Sequence, residues 1–314
     1  MRVTATSFPT LLRSQLERLS TKQARLQTQA GTGQRFQVSS EDPRAMRKVL
    51  DLQNEIKSLS QYQKNIGTLR DTLNASYAAI NDVKKISDRA GEIATRVDNL
   101  RNPEEFRAYA TEVDQLIERA VQLGNTRHQS NFLFAGTNNA TAPFQATRDA
   151  QGHIASVAYQ GSASVSESEI VENITISVSV PGANTTGTGV RGLFQDTGSG
   201  ADFIAHLISL RDNLLAGDAT AITNVRQTDR QNLLNDEENI LYHFGTVGAQ
   251  QTRLDTADSI ATRRKTSLDS LISEESDADL ADTLVSLSEI QNAYVAALKT
   301  GGTILSQSLL DYIR

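Results

Sequence analysis

Four histidines, one acidic cluster and one glycine pattern are the places where this sequence could do chemistry. His128, His153, His206 and His243 are candidate metal ligands or general bases. None has another histidine at i+3 or i+4, and a metal site needs several converging ligands. The chain has no cysteine, which removes thiolate sites, disulfides and Cys nucleophiles. The histidines are therefore expected on the polar surface, with no metal and no cofactor. Asp277, Asp279 and Asp282 lack the further ligands and the glycine of a calcium loop. Their expected role is to cap a helix start, where carboxylates meet the positive end of the dipole. Gly187-Thr188-Gly189-Val190-Arg191-Gly192 spells G-x-G-x-x-G, but it follows a Thr/Gly loop and opens no βαβ unit, so it reads as turn glycines. No P-loop, G-x-S-x-G or Ser/His/Asp grouping is present, and the chain is expected not to be an enzyme. Phe132, Leu133, Phe134 and Phe144, around Pro143, read as a small core where helices meet a β-containing segment.

The elements around these residues are mostly helical. Leu12, Leu16, Leu19, Leu26 and Ala30 form one apolar stripe, interrupted at Gly31-Thr32-Gly33. Asp42 as N-cap and Pro43 at N1 open the next helix. Leu52, Leu59, Ile66, Leu73 and Ile80 then recur every seven residues, a heptad seam. The seam continues less strictly through Ile86, Ile93, Val97 and Leu100, and a helix over about 43–100 would be on the order of 85 Å long. Asn102-Pro103-Glu104-Glu105 repeats the start signal, for a helix carrying Phe106, Val113, Leu116, Ile117 and Val121 and ending at Gly124.

Between 131 and 200 the pattern changes: nine of the 19 glycines fall there, and no lysine does. Residues 174–180 alternate strictly and predict a half-exposed strand, with 154–159 as its candidate partner. Helical periodicity returns with Phe203, Leu207, Leu210 and Leu214, stopping at Gly217, with Asp218 as the next cap. Leu233, Ile240, Val247, Leu254, Ala261 and Leu268 form the second long seam. After a break at 273–277, Leu280, Leu284, Leu287, Tyr294, Leu298, Leu305 and Tyr312 form the last stripe, widened by Ile290, Ala297 and Ile304.

A seam out, a β-containing insertion and a seam back predict a mainly α fold. Its N- and C-terminal arms would pair as a long antiparallel, coiled-coil-like helical rod around a small central β-containing insertion domain. The expected divisions are a terminal segment 1–42, rod helices 43–130, the insertion 131–200, rod helices 201–275 and a terminal helix 276–314. Hydrophobic residues at 38% and aromatics at 5% suit narrow stripes better than a thick core. Residues 1–50 carry net +6 and residues 255–314 net −5, which favours the two arms meeting. The overall charge of −6 argues against nucleic acid as a partner. No cleavable signal peptide and no membrane span is visible.

Several stretches resemble the bacterial flagellin superfamily, and within it the hook-associated protein 3 family of hook–filament junction proteins. Met1-Arg2-Val3-Thr4 and the following leucine seam are similar to the family's N-terminal segment. Gly31-Thr32-Gly33-Gln34-Arg35 with Ser40-Glu41-Asp42-Pro43 resembles its "STGKR…SDDP" stretch, departing from it at Ala30, Gln34 and Glu41. Phe132-Leu133-Phe134-Ala135-Gly136-Thr137 with Thr141-Ala142-Pro143-Phe144 resembles its "FAG…TAPF" motif, which discriminates a junction protein from a filament flagellin. Asp277-Ala278-Asp279-Leu280-Ala281 and Ser308-Leu309-Leu310-Asp311-Tyr312-Ile313 resemble its C-terminal helix and ending.

The resemblance implies an extracellular structural subunit of the flagellum, exported without signal cleavage. It would self-assemble into a junction ring, between a neighbouring hook-associated protein on the hook side and flagellin or another filament-side protein. A flagellar type III export chaperone would be a further partner. The terminal stripes, Leu12, Leu16, Leu19, Leu26, Leu280, Leu284, Leu287, Tyr294, Leu298, Leu305 and Tyr312, would then form the assembly interface. They would order only in the polymer, since an isolated amphipathic helix is marginal in water. A short filament flagellin and a cytoplasmic coiled-coil adaptor are the alternative readings.

Overall fold

The computed structural model describes residues 7–97 and 102–313, with side chains described from 10 to 304 within those spans. Three helices come first: α1 (Ser7–Thr32), α2 (Pro43–Arg96) and α3 (Pro103–Gly124). Nine short strands follow, then α4 (Phe203–Ala216), α5 (Ala219–Asn224), a π-helical turn (Val225–Asp229), α6 (Arg230–Ser276) and α7 (Leu280–Ile313). The chain is mainly α with a small β-containing insertion. Leu100, expected at the end of the first seam, lies outside the described residues.

The start and stop signals act as their chemistry predicts. Asp42 Oδ1 accepts the Ala45 N–H at 3.0 Å, Asn102 Oδ1 that of Glu104 at 3.1 Å, and Asp218 Oδ1 that of Ala221 at 2.7 Å. Asp279 Oδ1 accepts the N–H groups of Ala281 and Asp282 at 2.9 and 3.1 Å and caps α7, whereas Asp277 accepts from the hydroxyls of Ser273 and Ser276. Gly33 (φ 72°) and Gly217 (φ 62°) end α1 and α4 in the left-handed region, which a Cβ disfavours.

The chain divides into two compact units. One is Leu59–Thr262. There α2 and α6 run antiparallel: Gln63 meets Thr262 (3.0 Å), Arg70 meets Asp255 (2.8 Å), Tyr77 meets Phe244 edge-on and Lys84 meets Glu237 (4.0 Å). Ile66, Leu73 and Ile80 are buried between them with Leu233, Ile240, Val247 and Leu254, in one core shared with α3, α4 and the strands. Phe106, Val113 and Ile117 of α3 and Phe203, Leu207, Leu210 and Leu214 of α4 belong to the same core.

The strands pair locally rather than at a distance. β1 (Arg127–His128) pairs with β2 (Asn131–Phe132), β3 (Phe144–Arg148) with β4 (Ile154–Tyr159), and β5 (Ser168–Val171) with β6 (Ile174–Ile176), all antiparallel. β7 (Ala183–Asn184), β8 (Gln195–Asp196) and β9 (Ala201–Asp202) make one small sheet. The expected pairing of 154–159 with 174–180 is therefore wrong. Each segment finds a nearer partner across a short turn, the second through Asn173 at φ 59°, and a short loop closes at less entropic cost than a long one. The alternation itself survives as burial: Ile176, Val178 and Val180 point inward, although only 174–176 form a ladder.

The second unit joins the residues up to Ser58 with those from Arg263 onward. Its paired helices again run antiparallel, through Lys48 with Glu275 and Glu55 with Arg264 (2.7 Å). Lys48–Glu275 follows the opposite charges of the two arms, whereas Glu55–Arg264 runs the other way round.

Candidate assembly interface

Two stretches distant in sequence are tied together at the base of the terminal helices. The Arg35 N–H donates to the Ser276 carbonyl at 2.7 Å and the Ala278 N–H to the Gly33 carbonyl at 2.8 Å. Gln34 and Asp277 form an antiparallel bridge between them. Phe36, Ala45 and Val49 pack beneath this tie with Met46 and Ile272. The glycine-containing break after α1 and the acidic break before α7 thus form one joint.

Beyond the joint, α1 packs on α7. Leu12 presses on Gly301, where an added Cβ would come to 2.3 Å from a Leu12 methyl. Leu12 and Leu16 line a shallow groove with Tyr294. Leu26 is buried, whereas Leu16, Leu19, Leu287 and Tyr294 are half-buried. Leu280, Leu284, Val285, Val295, Leu298 and Ile304 of α7 are exposed. Leu284 is 55% exposed and Val295 63%. A helix that is apolar on more than one side is a helix made to be covered. The Leu305 and Tyr312 side chains lie outside the described residues, as do those of 308–313 and residues 1–4.

Of the seam positions, Ile66, Leu73, Ile80, Leu233, Ile240, Val247, Leu254, Ala261 and Leu268 are all buried, and Leu52 and Leu59 half-buried. The FAG-type motif contributes Phe134 and Phe144, whose rings meet Phe194 at 5.7 and 5.0 Å between centroids. Phe132 is half-buried, under the Arg127 guanidinium at 4.3 Å. Gly187 and Gly189 are turn glycines at φ 71° and 89°. Gly192 is required by space, because a Cβ there would meet the Gln195 carbonyl at 2.1 Å.

His243 departs from the expected polar surface, whereas His128, His153 and His206 are partly exposed. His243 is 2% exposed, and burial pushes its pKa down to about 4. His206 Nδ1 lies 2.7 Å from Asp236 Oδ2, and Asp236 is itself buried. Burial acts to lower the His206 pKa, but the hydrogen bond and charge of Asp236 outweigh it, and the net shift is upward. Burial raises the Asp236 carboxyl. His153 Nδ1 sits 3.0 Å from Asp114 Oδ2, and Asp114 also takes Arg211 Nη1 at 3.0 Å. His128 is half-buried.

Together with their neighbours, these residues reveal a row that periodicity of apolar residues alone does not show. Asp229, Asp236, His243 and Gln250 recur every seven residues beside the apolar seam of α6. Asp229 accepts from Ser209 Oγ (2.8 Å) and Asn213 Nδ2 (2.7 Å) on α4. Asp236 accepts the Asp202 N–H (3.0 Å), and Gln250 Nε2 donates to the Ser177 carbonyl (2.7 Å). Asn239, between them, donates through Nδ2 to the carbonyls of Gly192 (2.8 Å) and Leu193 (3.1 Å). This polar row ties the helix to α4 and its N-cap through Asp229 and Asp236 and to the insertion through Gln250, with Asn239 adding bonds to Gly192 and Leu193. Its visible signal was the spacing of these four polar residues, once the apolar seam had been read.

Residues 9–139 match the family model described as the bacterial flagellin N-terminal helical region. No curated protein sequence matches the chain. Among solved structures, a flagellar hook-associated protein from Vibrio parahaemolyticus superposes with a TM-score of 0.65 at 19% identity, over 76% of this chain and 100% of that one. FlgL from Bacillus cereus gives 0.54 at 20% identity, over 71% and 99%. The flagellar junction protein FlgL from Legionella pneumophila gives 0.53 at 13% identity, over 73% and 99%. Residues 9–139 are thus similar to the bacterial flagellin N-terminal helical region, and the chain has the fold of the flagellar hook-associated proteins it superposes on.

Proposed function

We propose that this chain is a structural subunit of the bacterial flagellum that forms the junction ring between hook and filament. The observation that carries the reading is that α7 leaves Leu284, Val295 and Leu298 uncovered while Gly301 packs on Leu12 of α1. Contiguous apolar surface of this kind marks protein–protein contact. Its partners would be further copies of the same chain, a hook-associated protein on the hook side and a filament protein on the other. A flagellar export chaperone would cover the terminal helices before secretion, which would proceed without signal cleavage. The chain would act by assembly and not by catalysis. The terminal segments 1–42 and 276–314 would order on assembly, at roughly 2–5 kcal/mol of the contact energy, which restrains premature polymerisation.

The test is a gene deletion combined with immuno-electron microscopy. Hooks that persist without stable filaments, and label confined to the hook end, are the expected result. Label along the whole filament would instead make the chain a filament flagellin. Intact filaments in the deletion strain would reject the junction role.

A further inference from the structure

The aromatic residues around Pro143 enclose a space as well as a core. Between β4, β8 and the first turns of α4 lies a cavity of about 170 Å³, walled by Phe144, Tyr159, Phe194, Ile204 and Ile208. Packed interiors hold few voids larger than a water molecule. This one stays open because its walls are fixed. The Phe144 backbone is held by Asn125, whose Oδ1 accepts the Phe144 N–H (2.9 Å) and whose Nδ2 donates to the Phe144 carbonyl (2.8 Å). The Phe144 ring lies against the backbones of Gly124 and Gly182, where an added Cβ would come to 2.6 and 2.7 Å from ring carbons. The Tyr159 and Phe194 rings flank it at 5.2 and 5.0 Å between centroids. Tyr159 is itself pinned, its hydroxyl donating to the Phe134 carbonyl at 2.8 Å. On the exposed side the lining residues Ala155, Ser156 and Ala205 are too small to fill the space.

We infer that this cavity is a binding site for a small aromatic molecule carrying one hydrogen-bond donor, of the size and chemistry of phenol. Volume sets the first limit. An apolar cavity of about 150 Å³ takes benzene and otherwise stays dry, whereas drug-sized ligands fill roughly 300–1,000 Å³. One ring therefore fits, and three aromatic walls offer it edge-to-face or offset contacts. The donor follows from Asp202, which also lines the cavity. Asp202 Oδ2 accepts Gln195 Nε2 at 2.8 Å and Oδ1 accepts the Ala205 N–H at 3.4 Å. A carboxylate has about four acceptor positions, so room remains for one donor from a ligand. An anionic ligand is disfavoured, because Asp202 is the charged group among the lining residues and would repel it. Such a site is independent of the junction role.

Methyl NMR of the unassembled full chain, titrated with phenol and separately with toluene, tests this. The δ1 methyls of Ile204 and Ile208 should shift saturably with both probes, while those of Ile66 and Ile240, buried elsewhere in the same core, stay in place. Ala205→Leu fills the cavity from its exposed side and should abolish both titrations. Asp202→Asn keeps an N-cap for α4. It should weaken phenol about tenfold, the scale of one hydrogen bond to a charged group, and leave toluene unchanged. Wild-type positions of the Ile66 and Ile240 signals show that each variant is folded, and the wild-type titration stands without either. No saturable shift at Ile204 and Ile208, or equal shifts at Ile66 and Ile240, would overturn the proposal. So would wild-type binding in folded Ala205→Leu, or wild-type phenol affinity in Asp202→Asn.

Discussion

At the residue scale, the consequential groups are the buried polar ones. His243 has a folded pKa near 4 against an ordinary value near 6.5. The unfolded chain therefore binds more protons between these values, and folding stability falls as pH drops through that window. The loss amounts to about 3 kcal/mol at full extent. His206 works the other way: its raised pKa contributes stability below the unfolded value that is lost as pH rises through the folded one. Urea titrations at pH 7 and pH 4.5 should show the acid loss in the wild-type chain, and His243→Gln should flatten it. An unchanged slope in the variant would refute the assignment. Asp229→Ala strands Ser209 and Asn213 without their acceptor. It should lower stability by about 1–3 kcal/mol for the unsatisfied groups, read from the denaturation midpoint.

At the element scale, the same type of helix serves two purposes. On α6 the apolar seam is fully covered, and the polar row beside it is matched to specific partners on α4 and in the insertion. On α7 the second side is apolar and uncovered. Introducing a charge should separate the two cases. Ile66→Asp buries a charge in the Leu59–Thr262 unit and should lower its melting temperature sharply. Leu284→Asp and Val295→Asp touch exposed positions and should leave monomer stability within about 0.5 kcal/mol. They should nevertheless block incorporation into flagella, scored by motility and by sheared-appendage blots. Gly301→Val should push α1 away from α7, and Leu12→Ala in the same chain should partly restore the contact. Hydrogen exchange along α1 reads both outcomes, and exchange rates equal to wild type in Gly301→Val would contradict the packing.

At the scale of the whole molecule, the two compact units differ in what holds them. The Leu59–Thr262 unit has a continuous core of aromatic and branched side chains. The unit built from both termini relies on a small cluster around Phe36, one backbone joint and two helix pairs, α1 with α7 and the ends of α2 and α6. Segments with few buried apolar contacts open first. Limited proteolysis of purified monomer should therefore trim residues before 43 and after 280 while leaving a product that spans 59–262. Equal protection at both ends and in the middle would count against ordering on assembly.

The seams, the caps and the position of the insertion were legible in the sequence, because each depends on local spacing: heptads for helices, Asp-Pro and Asn-Pro for starts, left-handed glycines for stops. Strand partners were not, because alternation states that a strand has two faces and says nothing about which neighbour closes the shorter loop. Burial of His243 was also out of reach. Whether His206 and His243 face water depends on what α4 and the 184–196 loop place over α6, and those contacts join residues about 30 to 50 apart. The sequence by itself determined that thin apolar stripes must pair. Only the tertiary structure decided which stripe faces are already covered within one chain and which, on α7, stay open, since coverage is a property of neighbours and not of any residue's own type.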